Sequence, residues 1–435
     1  MKNRFRNILV TLICITTLIT LAFRPITKKS NLSIALQPAK PIYFKSFVDC
    51  NMAAVWVADS FRIFPGKYGE DPLWGYSNEL KYATGKTIEA VFNMPYESFK
   101  EPAMPKNVMP TATGLHGAVW FETVYQSPKD KSGKTLYALY HNENYPETLP
   151  YNTKTKLGYF DNNWPQGLTG SKTPAAVCRI GIMKSKDGGL HWENKGILLE
   201  DLQDRMILKP HNNSITFAGG VGDPSAVANE NYLYIFYGEY GYAGKYDSVG
   251  YDYKKEHAGQ CISMARIPLQ DLDYPTGKAK RWDGHSFHAP YNGIGKPISP
   301  LQIPLTKGGG PSSQSNSQYY WGPSVSWNTF LNCWVMLMAK AEGPSWKGSG
   351  IYVSFNKNKN LGTANNAQSW STPTELFSKP GSTLWYPSLQ PIGDSTAFKN
   401  KYTSTKMGAV ARLFYKEQTK DTAVYISEYT VRFNK

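Results

Sequence analysis

Beyond its first two dozen residues the chain has no uncharged apolar run able to cross a bilayer, and it is poor in the residues that build metal or redox centres. Five cysteines include no Cys-x-x-Cys pair, and Cys50, Cys178, Cys261 and Cys333 are spaced too widely for a zinc site. Seven histidines form neither His-x-His nor His-Glu-x-x-His, which argues against a catalytic transition metal. Low-complexity tracts and long charge runs are missing, which excludes a disordered chain. Helix start and stop signals are sparse. Acidic residues number 33 against 48 Lys and Arg, for a formal charge of +15. No basic stripe with interleaved aromatics accompanies that excess, so nucleic acid is not an expected partner. Several of the charges lie near the N-terminus and the remaining lysines are scattered singly. An acidic polysaccharide is the partner that the charge leaves open.

At the N-terminus Lys2, Arg4 and Arg6 precede an uncharged run, Asn7–Phe23, rich in Ile, Leu and Thr. A positive segment followed by a short apolar one is the layout of a secretory signal, and this run is too short for a comfortable span. Residues 1–30 are therefore expected to be a signal peptide or, since no small-x-small cleavage site follows, an uncleaved N-terminal anchor. The latter is the one expected route to a membrane. Cys14 lacks the small residues of a lipoprotein signal. The expected location is secreted, periplasmic or cell-surface, where one or two disulfides are permissible and buried free thiols are the alternative.

What the chain has in quantity is turn residues and aromatics: Gly 37, Pro 29 and 14% Phe, Trp and Tyr, with short apolar runs between turns. That profile predicts an all-β fold. Five segments share a small-residue strand start: Asn51–Val55, Leu115–Val119, Asp223–Val227, Gly322–Ser326 and Tyr386–Gln390. Each is followed by a second apolar strand, such as Tyr232–Tyr237 or Trp334–Met338, and most by a third. Three or four strands repeated five times predict one five-bladed β-propeller over residues 41–435, a monomer, with Pro41–Phe47 closing the ring beside the last unit. Insertions near Asn144–Pro174, Gly241–Gly259 and Gln270–Gln318 are expected to be loops. Ser185-Lys-Asp187-Gly-Gly189-Leu-His-Trp192 resembles the Asp-box turn of sialidase-like propellers, which gives Asp187 a structural role.

In a propeller, starts of innermost strands and ends of second strands open on one face. Strand starts bring Asp49, Asn51, His116, Asp223, Trp321 and Tyr386 to it, and strand ends bring His141, Glu143, Glu239, Tyr240 and Glu342. Acids, imidazoles and aromatics on one rim suit a sugar, since rings stack on sugar faces while carboxylates do acid/base work. No cofactor is expected; a structural calcium ion on the axis is the one ion left open.

Asp49-Cys-Asn51, and Gly222-Asp223-Pro-Ser225 followed by Tyr232–Gly238, resemble five-bladed propeller glycosidases of the arabinanase and levanase kinds, over about residues 45–435. The resemblance implies an Asp of the first blade as base or nucleophile, a second Asp that orients or tunes, and a Glu of another blade as acid. The chain departs from it in having no Glu at the strand start of the third or fourth unit, so the acid falls to Glu143, Glu239, Glu342 or Glu122. Similar Tyr140–Glu143, Phe217–Asp223, Gly322–Asn328 and Trp385–Pro387 segments also resemble a group of secreted bacterial propeller proteins, which implies no particular activity. The expected catalytic set is Asp49, Asp223 and Glu143, with His116, His141, Glu239, Tyr386 and Trp321 binding substrate. For His116 and His141 the alternative is a satisfied rim hydrogen bond, and for Glu122 a core Arg partner. The leading function is a glycoside hydrolase acting on a poly- or oligosaccharide with paired carboxylates. The alternatives are a polysaccharide lyase, with His116 or a Tyr as base and Arg179 or His141 neutralising a uronate, and a non-catalytic glycan-binding propeller.

Overall fold

Alternating Val, Ile, Leu and Tyr between turn residues fold here into five antiparallel units, the second and third joined into one sheet by a short parallel pairing of Ala176–Cys178 with Phe217–Gly220. The computed structural model describes residues 32–44, 49–69, 77–105, 119–144, 151–152, 157–158, 176–200, 217–240, 261–304, 307, 317–343, 347–393 and 395–435. Blade one runs outward from Ala53–Val57 through Ser60–Phe64 to Ala83–Gly85. Blade two comprises Val119–Gln126, Leu136–Asn144, Ala176–Ser185 and Glu193–Leu199. Blade three comprises Phe217–Asn229, Tyr232–Glu239, Cys261–Pro268, Lys280–Trp282 and Phe287–Pro290, and blade four Gln318–Asn328, Cys333–Glu342, Lys347–Asn356 and Thr374–Phe377. Blade five begins at Thr383–Pro391, continues through Val410–Gln418 and Ala423–Asn434, and takes its outermost strand, Ser33–Phe44, from the other end of the chain.

The apolar residues show that the five blades close into a ring. Five buried clusters fill the five gaps between successive blades. Val55 and Phe64 meet Phe121 and Trp192 between blades one and two, and Leu139 and Ile180 meet Ile235 and Ala265 between two and three. Phe236 and Trp282 meet Met336 and Trp370 next, then Leu337 and Ile351 meet Leu413 and Val431. Phe414 and Tyr425 of blade five return to Ala54 and Trp56 of blade one. Five gaps for five blades leave no open end: the fold is a five-bladed β-propeller.

Closure differs in detail from the expectation. Ser33–Phe44 pairs antiparallel with the last strand from Ser33↔Asn434 to Phe44↔Tyr425, so the strand begins well before Pro41, while residues 45–47 lie outside the described residues. Pairing the two chain ends protects the edges that an open final blade would expose. The 270–318 stretch, expected to be a loop, contains the outer strands of blade three, Lys280–Trp282 and Phe287–Pro290. Most of the other two insertions and the N-terminal segment lie outside the described residues. Among the described residues no helix is long and apolar enough to cross a membrane. Cys50, Cys178, Cys261 and Cys333 are buried free thiols.

The recurring Pro-Ser pairs mark something more specific than a strand start. In blades three, four and five the ladder slips between Gly222/Ser225, Trp321/Ser324 and Trp385/Ser388. The residue before each proline, Asp223, Gly322 or Tyr386, has φ of 48, 58 and 48°. Proline has no N–H for the ladder, and the bulge puts that lack where no partner is lost. Each inner strand therefore starts upstream of its Pro-Ser and bends at it. In blade two the slip lies between Phe121 and Thr123, leaving Glu122 in the bulge. The repeat unit there is thus aligned on Glu122 and not on His116, which lies outside the described residues. Bulges re-aim side chains beside sites, and here they turn Asp223 and Tyr386 to one mouth of the axis.

The Ser185–Trp192 turn joins the two outer strands of blade two. Asp187 Oδ1 accepts from the Leu190 and His191 amides at 3.0 Å each and from Ser185 Oγ at 2.8 Å, while Ser185 Oγ accepts from Gly189 N at 2.8 Å. Trp192 packs edge-on against Phe64 and Phe121.

Candidate active site at one mouth of the axis

A cavity of about 160 Å³ opens where the inner strands begin. Its carboxylates come from three blades: Asp49 ahead of blade one, Glu143 at the end of the second strand of blade two, and Asp223 in the bulge of blade three. Trp120, Trp321, Trp385, Tyr240 and Tyr386 wall it, and His141, Lys416 and Gln418 complete the lining.

Asp223 is fully engaged. Its Oδ2 accepts from Trp321 Nε1 at 2.6 Å, and its Oδ1 lies 3.2 Å from His141 Nδ1. The Asp223 amide lies 3.4 Å from the same Nδ1, while His141 Nε2 is buried with no partner. The ring fits only because residue 222 is glycine, where a Cβ would lie 2.8 Å from the imidazole. Trp120 stands edge-on to the other side of the imidazole at 5.8 Å.

Beneath His141 lies Glu122, 2% exposed. Its Oε2 accepts from the Asn51 amide at 2.7 Å, while Oε1 has no partner and sits 3.9 Å from His141 Nδ1, too far for a hydrogen bond. Burial, and then the negative charge of Asp223, push the Glu122 carboxyl well above the usual carboxylate range. The core Arg weighed as its partner is not there; the Asn51 amide takes that place.

Asp49 accepts from Lys416 Nζ at 2.7 Å, and the ammonium also lies 5.8 Å from the centre of the Tyr386 ring. The Asp49 side chain is 27% exposed, that of Lys416 only 6%. Burial, followed by the charges of Asp223, Asp49 and Glu122, drives the Tyr386 phenol well above its ordinary value.

Of the expected residues, the structure brings Asp49, Glu143, Asp223, His141, Trp321 and Tyr386 to one cavity. Glu239 does not join them: it is buried against Arg281 and accepts from the Gly295 amide at 3.1 Å, which corrects its expected place in sugar binding. Glu342 faces Gln318 across the blade-four ladder, away from the cavity lining. Arg179, weighed as a uronate partner, donates to Asn142 Oδ1 at 3.0 and 3.2 Å and lies outside the lining. Lys416, Gln418, Trp120 and Trp385 were missed. Lys416 carries one signal: it directly continues the run Ala409–Tyr415, in a strand buried continuously from Ala411 to Lys416.

Glu122, His141 and Asp223 offer three ligand atoms within 4.8 Å of one another, the one such group among the described residues. Two carboxylates and an imidazole suit a divalent cation chemically, and the orphaned Glu122 Oε1 is a free donor. The raised Glu122 carboxyl favours a proton in the same place, so proton and cation are alternatives here.

No family model matches the chain, and no curated protein matches it. Solved structures similar to it are propeller glycosidases at low identity. An α-L-arabinofuranosidase of Podospora anserina, solved with cellotriose, is 9% identical at a TM-score of 0.45, covering 92% of this chain and 96% of that one. An α-L-arabinanase of Cellvibrio cellulosa is 12% identical at 0.41, covering 89% and 91%. An α-L-arabinofuranosidase of Fusarium graminearum, solved with an iminosugar inhibitor, is 11% identical at 0.44, covering 91% and 98%. Scores of this size supply no residue correspondence, and the fold rests on the five blades and five clusters described above.

Proposed function

We propose that this chain is an exported glycoside hydrolase that removes sugars from an extracellular poly- or oligosaccharide without a cofactor. The observation that carries the reading is that carboxylates from three blades, Asp49, Glu143 and Asp223, share one cavity walled by aromatic rings. Its volume of about 160 Å³ is below the roughly 300–1,000 Å³ of drug-sized sites. That size suits one sugar ring, and hence action at a chain end.

In this reading Asp49, the carboxylate with open access and a neighbouring ammonium, serves as nucleophile or base at the anomeric carbon. Glu143, across the cavity on another blade, protonates the leaving oxygen. Asp223 has both oxygens occupied by Trp321 and His141, so it positions the stacking ring and the imidazole. The lyase alternative needs a base beside a uronate carbon. The Tyr386 phenol is pushed in the wrong direction for that role, and Arg179 is turned to Asn142.

A glycan panel digested with the purified protein tests the proposal. New reducing ends without the ultraviolet absorbance of unsaturated products are expected. Asp49→Asn and Glu143→Gln should each lower turnover at least about a hundredfold while the circular dichroism stays unchanged. Unsaturated products would establish the lyase. No product from any glycan, or full activity in both variants, would overturn the hydrolase.

A further inference from the structure

The inner strands end, at the other mouth of the axis, around a larger cavity of about 460 Å³. Buried residues along those strands, such as Ser225, Ser326 and Gln390, separate it from the first. Its volume falls within the roughly 300–1,000 Å³ of small-molecule sites. Its wall is apolar: Val55, Val124 and Val227 contribute from three blades, and Trp327 stands edge-to-face with Trp334 at 4.9 Å. Trp327 is only half-buried and lines the cavity.

Its rim is cationic. Lys359, Lys401 and Lys406 line it, and no acidic residue is among the described residues that do. Two of these ammoniums are held in place rather than waving in solvent. Lys401 Nζ donates to the Ala58 carbonyl at 2.7 Å and lies 4.3 Å from the Phe398 ring centre. Lys406 Nζ donates to the Asn400 carbonyl at 3.0 Å. An ammonium has three donors, so each has two left for a ligand. Asp59, the acid whose charge reaches Lys401, is itself engaged by Lys86 and Ser60. Thr403 and Thr405, whose hydroxyls lie 3.1 Å apart, add neutral donors and acceptors between the two lysines.

We propose that this mouth is a second, non-catalytic site for an acidic sugar, with the ring against Trp327 and the carboxylate between Lys401 and Lys406. An aromatic face beside fixed cations matches a uronate in both its apolar and charged parts; a neutral sugar would leave the cations unused, and a bare anion the ring. The site is independent of the hydrolase reading and of the mouth that supports it.

Titration calorimetry with galacturonate and mannuronate trimers tests it, with maltotriose as the neutral control and inorganic sulfate as the bare anion. Saturable binding of a uronate trimer is expected, weakening as salt rises. Lys401→Ala/Lys406→Ala should weaken it at least about tenfold, Trp327→Ala likewise, and Trp327→Phe much less. The lysines are exposed, so the double variant should melt as the parent does and keeps the test clear of misfolding. Asp49→Asn and Glu143→Gln should bind as the parent does. The proposal is overturned by no saturable binding of either uronate, by equal binding of maltotriose or sulfate, or by binding that the lysine pair does not affect.

Discussion

Glu122 offers the sharpest physical test, because its carboxyl is fully buried, has one oxygen unpartnered and lies near Asp223. Its pKa in the folded chain is raised well above 4.5, so the native state holds a proton that the unfolded chain releases. Stability then falls as pH rises from about 4.5 to the folded value, by about 1.4 kcal/mol for each unit between them, and is level above that value. Glu122→Gln removes the titration and keeps the shape: its carbonyl can still accept from Asn51 N, while its amide group stands where Oε1 lacks a partner. The amide costs roughly 1–3 kcal/mol if it too finds none. The variant should therefore be the less stable protein near pH 4 and gain on the parent steadily above it. Urea unfolding of both from pH 4 to 8 measures the difference, and taking the difference cancels the other titrating groups. In an Asp223→Asn background the gain should shrink, since one of the two causes is gone. A difference that moves the other way with pH would mean that Glu122 is ionised in the native protein, and the argument for a retained proton would fail.

Arg281→Met should cost about 3–5 kcal/mol by urea unfolding, because it strands the buried Glu239 carboxylate; loss of under 1 kcal/mol would show that the pair is not desolvated. Asp187→Ala removes four side-chain contacts from the Ser185–Trp192 turn and should cost about 1–3 kcal/mol. It should leave any turnover unchanged, and a selective loss of activity would contradict its structural role. Asp223→Asn retains an acceptor for Trp321 but replaces the carboxylate facing His141, so a turnover loss larger than the stability loss measured by urea unfolding is expected; equal losses would make Asp223 a purely structural residue.

The number of blades was legible because the repeats carry it twice, in the small residues at strand starts and in the apolar runs after them. Strand lengths were less so. Pro-Ser reads as a beginning, since proline interrupts a ladder, yet Gly222, Trp321 and Trp385 already pair with the next strand before the bulge. Glu122 suffered from the same effect. In blade two no proline marks the bulge, so alternation with Val119, Phe121 and Val124 disguises it as an ordinary strand position, and His116 took its place in the alignment.

The site was legible where a residue's place follows from strand polarity, as for Asp49, Glu143, Asp223 and Tyr386. It was hidden where role depends on a partner from another blade. Glu239 occupies the same strand-end position as Glu143, yet Arg281 on the fourth strand of its own blade neutralises it, and Lys416 reaches Asp49 across 367 residues of sequence. Position alone thus nominates both glutamates, and only Glu143 lines the cavity. A carboxylate whose partner is a buried arginine with no access to the cavity is spent on the fold. One whose partner lines the cavity, as Lys416 does for Asp49, remains available to a substrate placed between them.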